Sequence, residues 1–236
     1  MSERARSFGS AADAYARARP TYAEEAVRFV LPRVPCTVAD VGAGTGKLTE
    51  VLLRLGCEVV AVEPDAEMRA RIRSADARAG TAEELPLADA SVDAVVAGSA
   101  YHWFDPRRFA DEAARVLRPG GTLGLLWNDQ DDRVEWVAAL AEITEPGAPL
   151  GSDLEVEVPL LDERFEPGEL CEVPYVQRLD AELLVTLVST TSHAIVQPPE
   201  RRAAMLADVD RFARGRFGDA EFELPYLIRA WRLALR

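Results

Sequence analysis

Residues 37–56 read TVADVGAGTGKLTEVLLRLG, and this stretch constrains the fold more than any other. A short β-rich apolar run meets glycines at alternate positions (Gly42, Gly44, Gly46). Leu48, Val51, Leu52 and Leu55 then recur at helical spacing, with Gly56 placed to end the helix. The unit is strand, tight turn, helix. In open α/β sheets ligands bind at such a strand C-terminus: glycine lets the backbone pass close to them, and the helix N-terminus offers unpaired N–H groups.

The same grammar repeats along the chain. EVVAV (58–62), SVDAVVAG (91–98) and GTLGLLWN (121–128) read as further strands, with PRRFADEAARVL as a helix before the last and RPGG as its stop. Apolar runs alternating with amphipathic helices predict a parallel sheet covered on both faces, hence α/β. Beyond Asn128, residues 129–143 read as helix, and 145–169, rich in Pro, Gly and acids, as surface loop. Residues 171–180 read as a late strand, 181–192 and 198–215 as helices, and 222–233 as a last strand. No internal repeat appears, so a single domain over 1–236 is expected.

Composition narrows the partners. The 236 residues, 48% of them apolar, suit one compact core, and a net charge of −13 disfavours nucleic acid or an anionic membrane surface. An uncharged or cationic small molecule fits better. Cys36, Cys57 and Cys171 lack zinc or disulfide spacing, so no metal is expected and the cysteines read as small core residues of a reducing compartment. With no apolar signal core and no bilayer-length run, the expected location is soluble and cytoplasmic.

Three ligand classes compete for the glycine loop. A phosphate-binding GxxxxGK[ST] would put its first glycine on Val41 and its last residue on Leu48, so it fails twice. A dinucleotide GxGxxG meets Lys47 at its third glycine. The GxGxG loop of S-adenosylmethionine (SAM) enzymes matches. Glu63, at the tip of the second strand, can accept from both hydroxyls of a ribose, which NAD and SAM share. Lys47 is the only lysine and position 43 is alanine, which excludes the Tyr-x-x-x-Lys mechanism of short-chain reductases.

VADVGAGTGKLTE, VEPDAEM, GTAEELPLADASVDAVVAG and RVLRPGGTLGLLWN together resemble, in order and spacing, the motifs of class I SAM-dependent methyltransferases. SFGSAADAYARARPTYAEEAV, SAYHWFD and ELPYLIRAWR resemble the small-molecule branch that contains trans-aconitate methyltransferase-like proteins. The resemblance implies a three-layer, Rossmann-like seven-stranded sheet of order 3-2-1-4-5-7-6, strand 7 antiparallel. It divides the chain into an N-terminal helical cap (1–30), a cofactor-binding half (37–128), a helix and surface loop (129–170) and a C-terminal half (171–236). It also implies SAM as cofactor, with Asp40, Gly42, Ala43 and Gly44 at the methionine part, Glu63 at the ribose, and Pro64 and Met68 against the adenine. Thr81, Ala82 and Glu83 fall at the adenine edge and Gly98 and Ser99 beside the cofactor. Where many relatives have Asp, this chain has Thr81, so the bond to the adenine amino group falls to backbone or Glu83. Tyr15 and Arg19 would close over the cofactor and meet its carboxylate, or belong to an exposed amphipathic helix.

The implied reaction is attack by an O, N or C atom of a small molecule on the sulfonium methyl, in which the protein mainly aligns reactants and excludes water. Tyr101, His102, Trp103, Trp127, Asn128 and His193 are the candidate substrate-pocket residues. His102 is a candidate base or a positioning group, since a base is needed only when the acceptor is protonated. His193 could equally sit at the surface or cap a helix. Asp40 and Asp93 are expected to bond loop amides, Lys47 to be a solvated charge, and Asp105 and Pro106 to start a helix. Two other readings remain: a SAM-binding protein of this fold that transfers no methyl, acting as regulator or in a cyclisation or elimination, and an NAD-dependent oxidoreductase.

Overall fold

A computed structural model describes residues 12–147 and 163–236, so the start of the cap and most of the 145–169 loop lie outside the described residues. Seven strands form one sheet of order β3-β2-β1-β4-β5-β7-β6. They are β1 (Thr37–Val41), β2 (Glu58–Val62), β3 (Asp76–Arg78), β4 (Val92–Gly98), β5 (Leu117–Gln130), β6 (Glu169–Leu179) and β7 (Phe222–Ala234). Pairings from β3 to β5 are parallel, whereas β7 runs antiparallel to both β5 and β6. Chain order reverses between β1 and β4, which opens a crevice at the strands' C-terminal ends.

The helices are α1 (Ala12–Ala18), α2 (Glu24–Val30), α3 (Lys47–Arg54), α4 (Ala66–Arg69), α5 (Pro106–Val116), α6 (Glu135–Thr144), α7 (Ala181–Ser189), α8 (Ser192–Val196) and α9 (Pro199–Phe217). The stripe Leu48, Val51, Leu52 and Leu55 is buried, and with Val27 and Val30 of α2 it packs on one sheet face. Fully burying Leu52 is worth roughly 1.5–3 kcal/mol. Phe109, Ala110, Ala113 and Val116 of α5 cover the opposite face. A third cluster joins α1, α6, α7 and α9 around Trp136 and Phe222. No helix among the described residues is long and apolar enough to cross a membrane.

Two expectations shift. RPGG does end α5, but Leu117 already pairs with Val92 and pairing resumes at Thr122 with Ala94, so Arg118–Gly121 bulge out and β5 extends to Gln130. Gly120 takes the positive φ of that bulge. The third strand, unread in the sequence, is the short Asp76–Arg78, whose three residues carry no periodic signal.

Candidate functional site

Local hydrogen bonding positions the crevice. The N–H groups of Gly42 and Ala43 donate to the carbonyl of Val62 (2.9 and 3.2 Å), which ties the glycine loop to the end of β2. Gly42 lies at positive φ, and a Cβ there would stand 2.8 Å from that of Ala100. A Cβ on Gly44, also at positive φ, would meet nothing within 4 Å, so this glycine faces open space. Asp65 caps α4 by accepting from the N–H groups of Glu67 and Met68 (2.9 Å each), which brings Met68 to the crevice.

The crevice has two lobes. The larger, of about 280 Å³, holds Glu63, Pro64, Met68 and Ala82 at one end and His102, Trp103, Trp127 and Asp129 at the other. The smaller, of about 100 Å³, runs from Asp40, Ala43 and Lys47 to Gln130 and Tyr226. Tyr15, Arg19, Gly42, Gly44, Gly98, Ser99 and Asn128 line both. Tyr15 and Arg19 thus stand over the crevice. Arg19 lies 4.9 Å above the Tyr15 ring and donates to the carbonyl of Thr190 (2.8 Å). The cap is further tied down by Gln177 donating to the Ala18 carbonyl (2.8 Å) and Asn128 donating to that of Thr21 (3.2 Å).

Several acidic and basic groups of the crevice are displaced from ordinary behaviour, Asp40, Glu63 and His102 among them. Burial raises the Asp40 carboxyl to about 7, opposed by the Thr49 hydroxyl, which donates to Oδ2 at 2.6 Å. Its Oδ1 is buried with no hydrogen-bond partner. Burial also raises Glu63, against the pull of two N–H donors: Gly44 to Oε2 (2.8 Å) and Asp65 to Oε1 (2.9 Å). Burial, then the charge of Arg19, lowers His102, which favours its neutral imidazole. His102 sits on a 3-10 turn (Tyr101–Trp103) between β4 and α5, which Asp105 caps and Pro106 opens.

The structure places several of the expected residues differently. Tyr101 stands behind the wall, edge-on to Trp127 (centroids 6.2 Å apart) and tilted against Phe109. His193 faces Gln197 (2.9 Å) on α8, and its neighbour Ser192 lines the crevice instead. At the Glu63 end Gly80 and Ala82 line the lobe. Thr81 and Glu83 turn to each other, and Glu83 accepts from the Asp105 N–H (3.1 Å), which spends that carboxylate at the start of α5. Asp40 bonds Thr49 of α3, through its hydroxyl and its backbone; Asp93 takes Thr37 N–H, Arg118 and Arg33. Lys47 is half-buried at the smaller lobe. Tyr22, Asp129 and Ser192 went unread. Tyr22 is buried and its hydroxyl donates to Ser99 (3.3 Å), a contact 77 positions apart that no local pattern announces. Asp129 had a local signal, two residues beyond Trp127 on one strand.

A seven-stranded sheet of this order, with a glycine loop at its switch point and an acid at the tip of the next strand, defines the class I methyltransferase fold. A methyltransferase-domain family matches residues 39–125. An uncharacterized methyltransferase of Mycobacterium bovis is 45% identical over 205 residues, 85% of this chain and 82% of that protein. A methyltransferase-like protein of Schizosaccharomyces pombe is 32% identical, covering 75% and 72%. Among solved structures, a candidate type II methyltransferase from Anaeromyxobacter dehalogenans overlays with a TM-score of 0.70 at 24% identity, over 91% of this chain and 97% of that one. The chain belongs to the methyltransferase family.

Proposed function

We propose that the protein binds SAM in this crevice and transfers its methyl group to an O, N or C atom of a small molecule, in the cytoplasm. The observation that carries the reading is the meeting, within one crevice at the switch point, of an open glycine loop, the Glu63 carboxylate and the partnerless Asp40 Oδ1. These groups fit the cofactor: a buried carboxylate oxygen without a donor suits an ammonium group, and the acceptor lone pairs left on Glu63 suit two hydroxyls. Asp40 and Gly42–Gly44 would hold the methionine part, Arg19 its carboxylate, Glu63 the ribose, and Pro64, Met68 and Ala82 the adenine. When bound, SAM supplies an electrophilic methyl on a sulfonium.

The chain's own residues then orient and desolvate. Trp103, Phe104 and Trp127 exclude water from the reacting end of the larger lobe, while Tyr15 and Arg19 close it from above. His102, whose burial favours the neutral imidazole, takes a proton from the acceptor where that acceptor is an alcohol or phenol, and only shapes the wall where it is not. The strongly acidic chain supports a small-molecule partner over nucleic acid. Titration with SAM, S-adenosylhomocysteine (SAH) and NAD(P)H by calorimetry tests this. Binding of both sulfur ligands is expected, and NAD(P)H binding without SAM binding would overturn it. A cofactor-dependent product of unchanged mass, without SAH release, would move the reading to the non-methylating alternative.

A further inference from the structure

We infer that the reacting end of the larger lobe recognises an organic ammonium, so that the acceptor molecule carries a positively charged nitrogen held against Asp129 beside Trp127. The inference deepens the methyltransferase reading and rests on it only for the identity of the neighbouring cofactor.

Trp127 and Asp129 are two residues apart on β5 and so project to the same side of the sheet. Both line the lobe, with Trp103 and Phe104 on the turn opposite. The indole of Trp127 is fixed edge-on by Tyr101 behind it, which gives a cation a preset aromatic wall.

The acid that β5 brings to this wall, Asp129, is an acceptor. A ligand beside it is favoured as a donor, and a carboxylate or phosphate would face that acceptor at a cost.

Charge points the same way. Arg229, mostly buried, ion-pairs with Asp129 at 3.2 Å and also with Glu172 at 3.3 Å, so one guanidinium is divided between two carboxylates. Burial pushes the Asp129 carboxyl upward, Arg229 opposes this, and buried Asp132 adds to it, so a third acid stands in the neighbourhood. Arg19, which also lines the lobe and lowers His102, is the cation that the cofactor's carboxylate would engage.

Calorimetric titration of the free and SAH-loaded protein with phenethylammonium, phenethyl alcohol and phenylacetate at pH 7.5 tests the inference. The ammonium is expected to bind at least about tenfold more tightly than the alcohol, and phenylacetate most weakly. Asp129→Asn should abolish that preference and Asp129→Glu should keep it. Trp127→Leu should weaken the ammonium more than the alcohol, and this variant together with Asp129→Glu decides if Asp129→Asn does not fold. Equal or tighter binding of the alcohol or phenylacetate, no ammonium binding at millimolar concentration, or a preference that survives in Asp129→Asn would overturn it. Failure of the cofactor reading is separate, because it would appear as absent SAH binding while the ammonium preference persisted in the free protein.

Discussion

Replacing Glu63 by glutamine exchanges one oxygen for an NH2 group, yet the geometry makes it far from conservative. Both carboxylate oxygens accept backbone N–H groups, Gly44 at 2.8 Å and Asp65 at 2.9 Å. A glutamine has one acceptor, so one of these amides must face a donor, at about 1–3 kcal/mol for an unsatisfied buried group. Removing the charge also relieves the burial penalty that raises this carboxyl, so the net stability loss falls at the low end of that range. The urea midpoint should then fall by roughly 0.5 M. Ligand affinity gains no such relief. At least one ribose hydroxyl loses a charged acceptor, worth about 1.5–3 kcal/mol, and the Gly44 amide that shapes the loop is disturbed as well. The sum, about 2–5 kcal/mol, corresponds to a 30- to several-thousand-fold rise in the SAH dissociation constant, and Glu63→Ala should lie at its upper end. Calorimetry at pH 7.5 measures it. Wild-type SAH affinity in Glu63→Gln would refute the reasoning.

Other expectations follow from the same structure. Native Asp40 keeps a proton up to a pKa of about 7 that the unfolded chain releases near 3.8, so this group's contribution is full below the lower value and lost as pH rises through the higher one. Asp40→Asn should therefore gain on wild type, by on the order of a few kcal/mol, between pH 4 and pH 8; an identical difference in urea stability at both pH values would sink this. His102→Ala should lower kcat by about 10²-fold or more for a protonated acceptor and remove the acidic limb of the pH–rate profile, and an unchanged profile would take His102 out of the mechanism. A Cβ on Gly124 would stand 2.6 Å from that of Val30, so Gly124→Ala should cost about 1–3 kcal/mol by overpacking β5 against α2, read from the urea midpoint.

Legibility in the sequence tracked the length of the periodic signal. The stripe from Leu48 to Leu55 and the runs at β1, β2 and β4 are local patterns, and each became the element expected. β3, three residues long, had no pattern to offer. Within the crevice, the glycine loop and Glu63 were legible because their chemistry is tied to a strand end. Tyr101 and His193 were placed by proximity in sequence to the crevice; side-chain direction on a 3-10 turn and on a one-turn helix took them elsewhere.

The sequence by itself determined the alternation of strand and helix, the switch-point loop and the acidic tip of the second strand, because these follow from backbone conformation and residue spacing over a few positions. Tertiary structure alone decided that β5 runs on to Gln130, that Tyr22 closes on Ser99, that Glu63 is shared between two backbone amides, and that Asp129 faces the aromatic wall. Those facts depend on which groups meet across long separations and on how much water is excluded where they meet. Burial and partner geometry, which no local pattern encodes, turn an ordinary aspartate at position 40 into a carboxyl that titrates near neutrality.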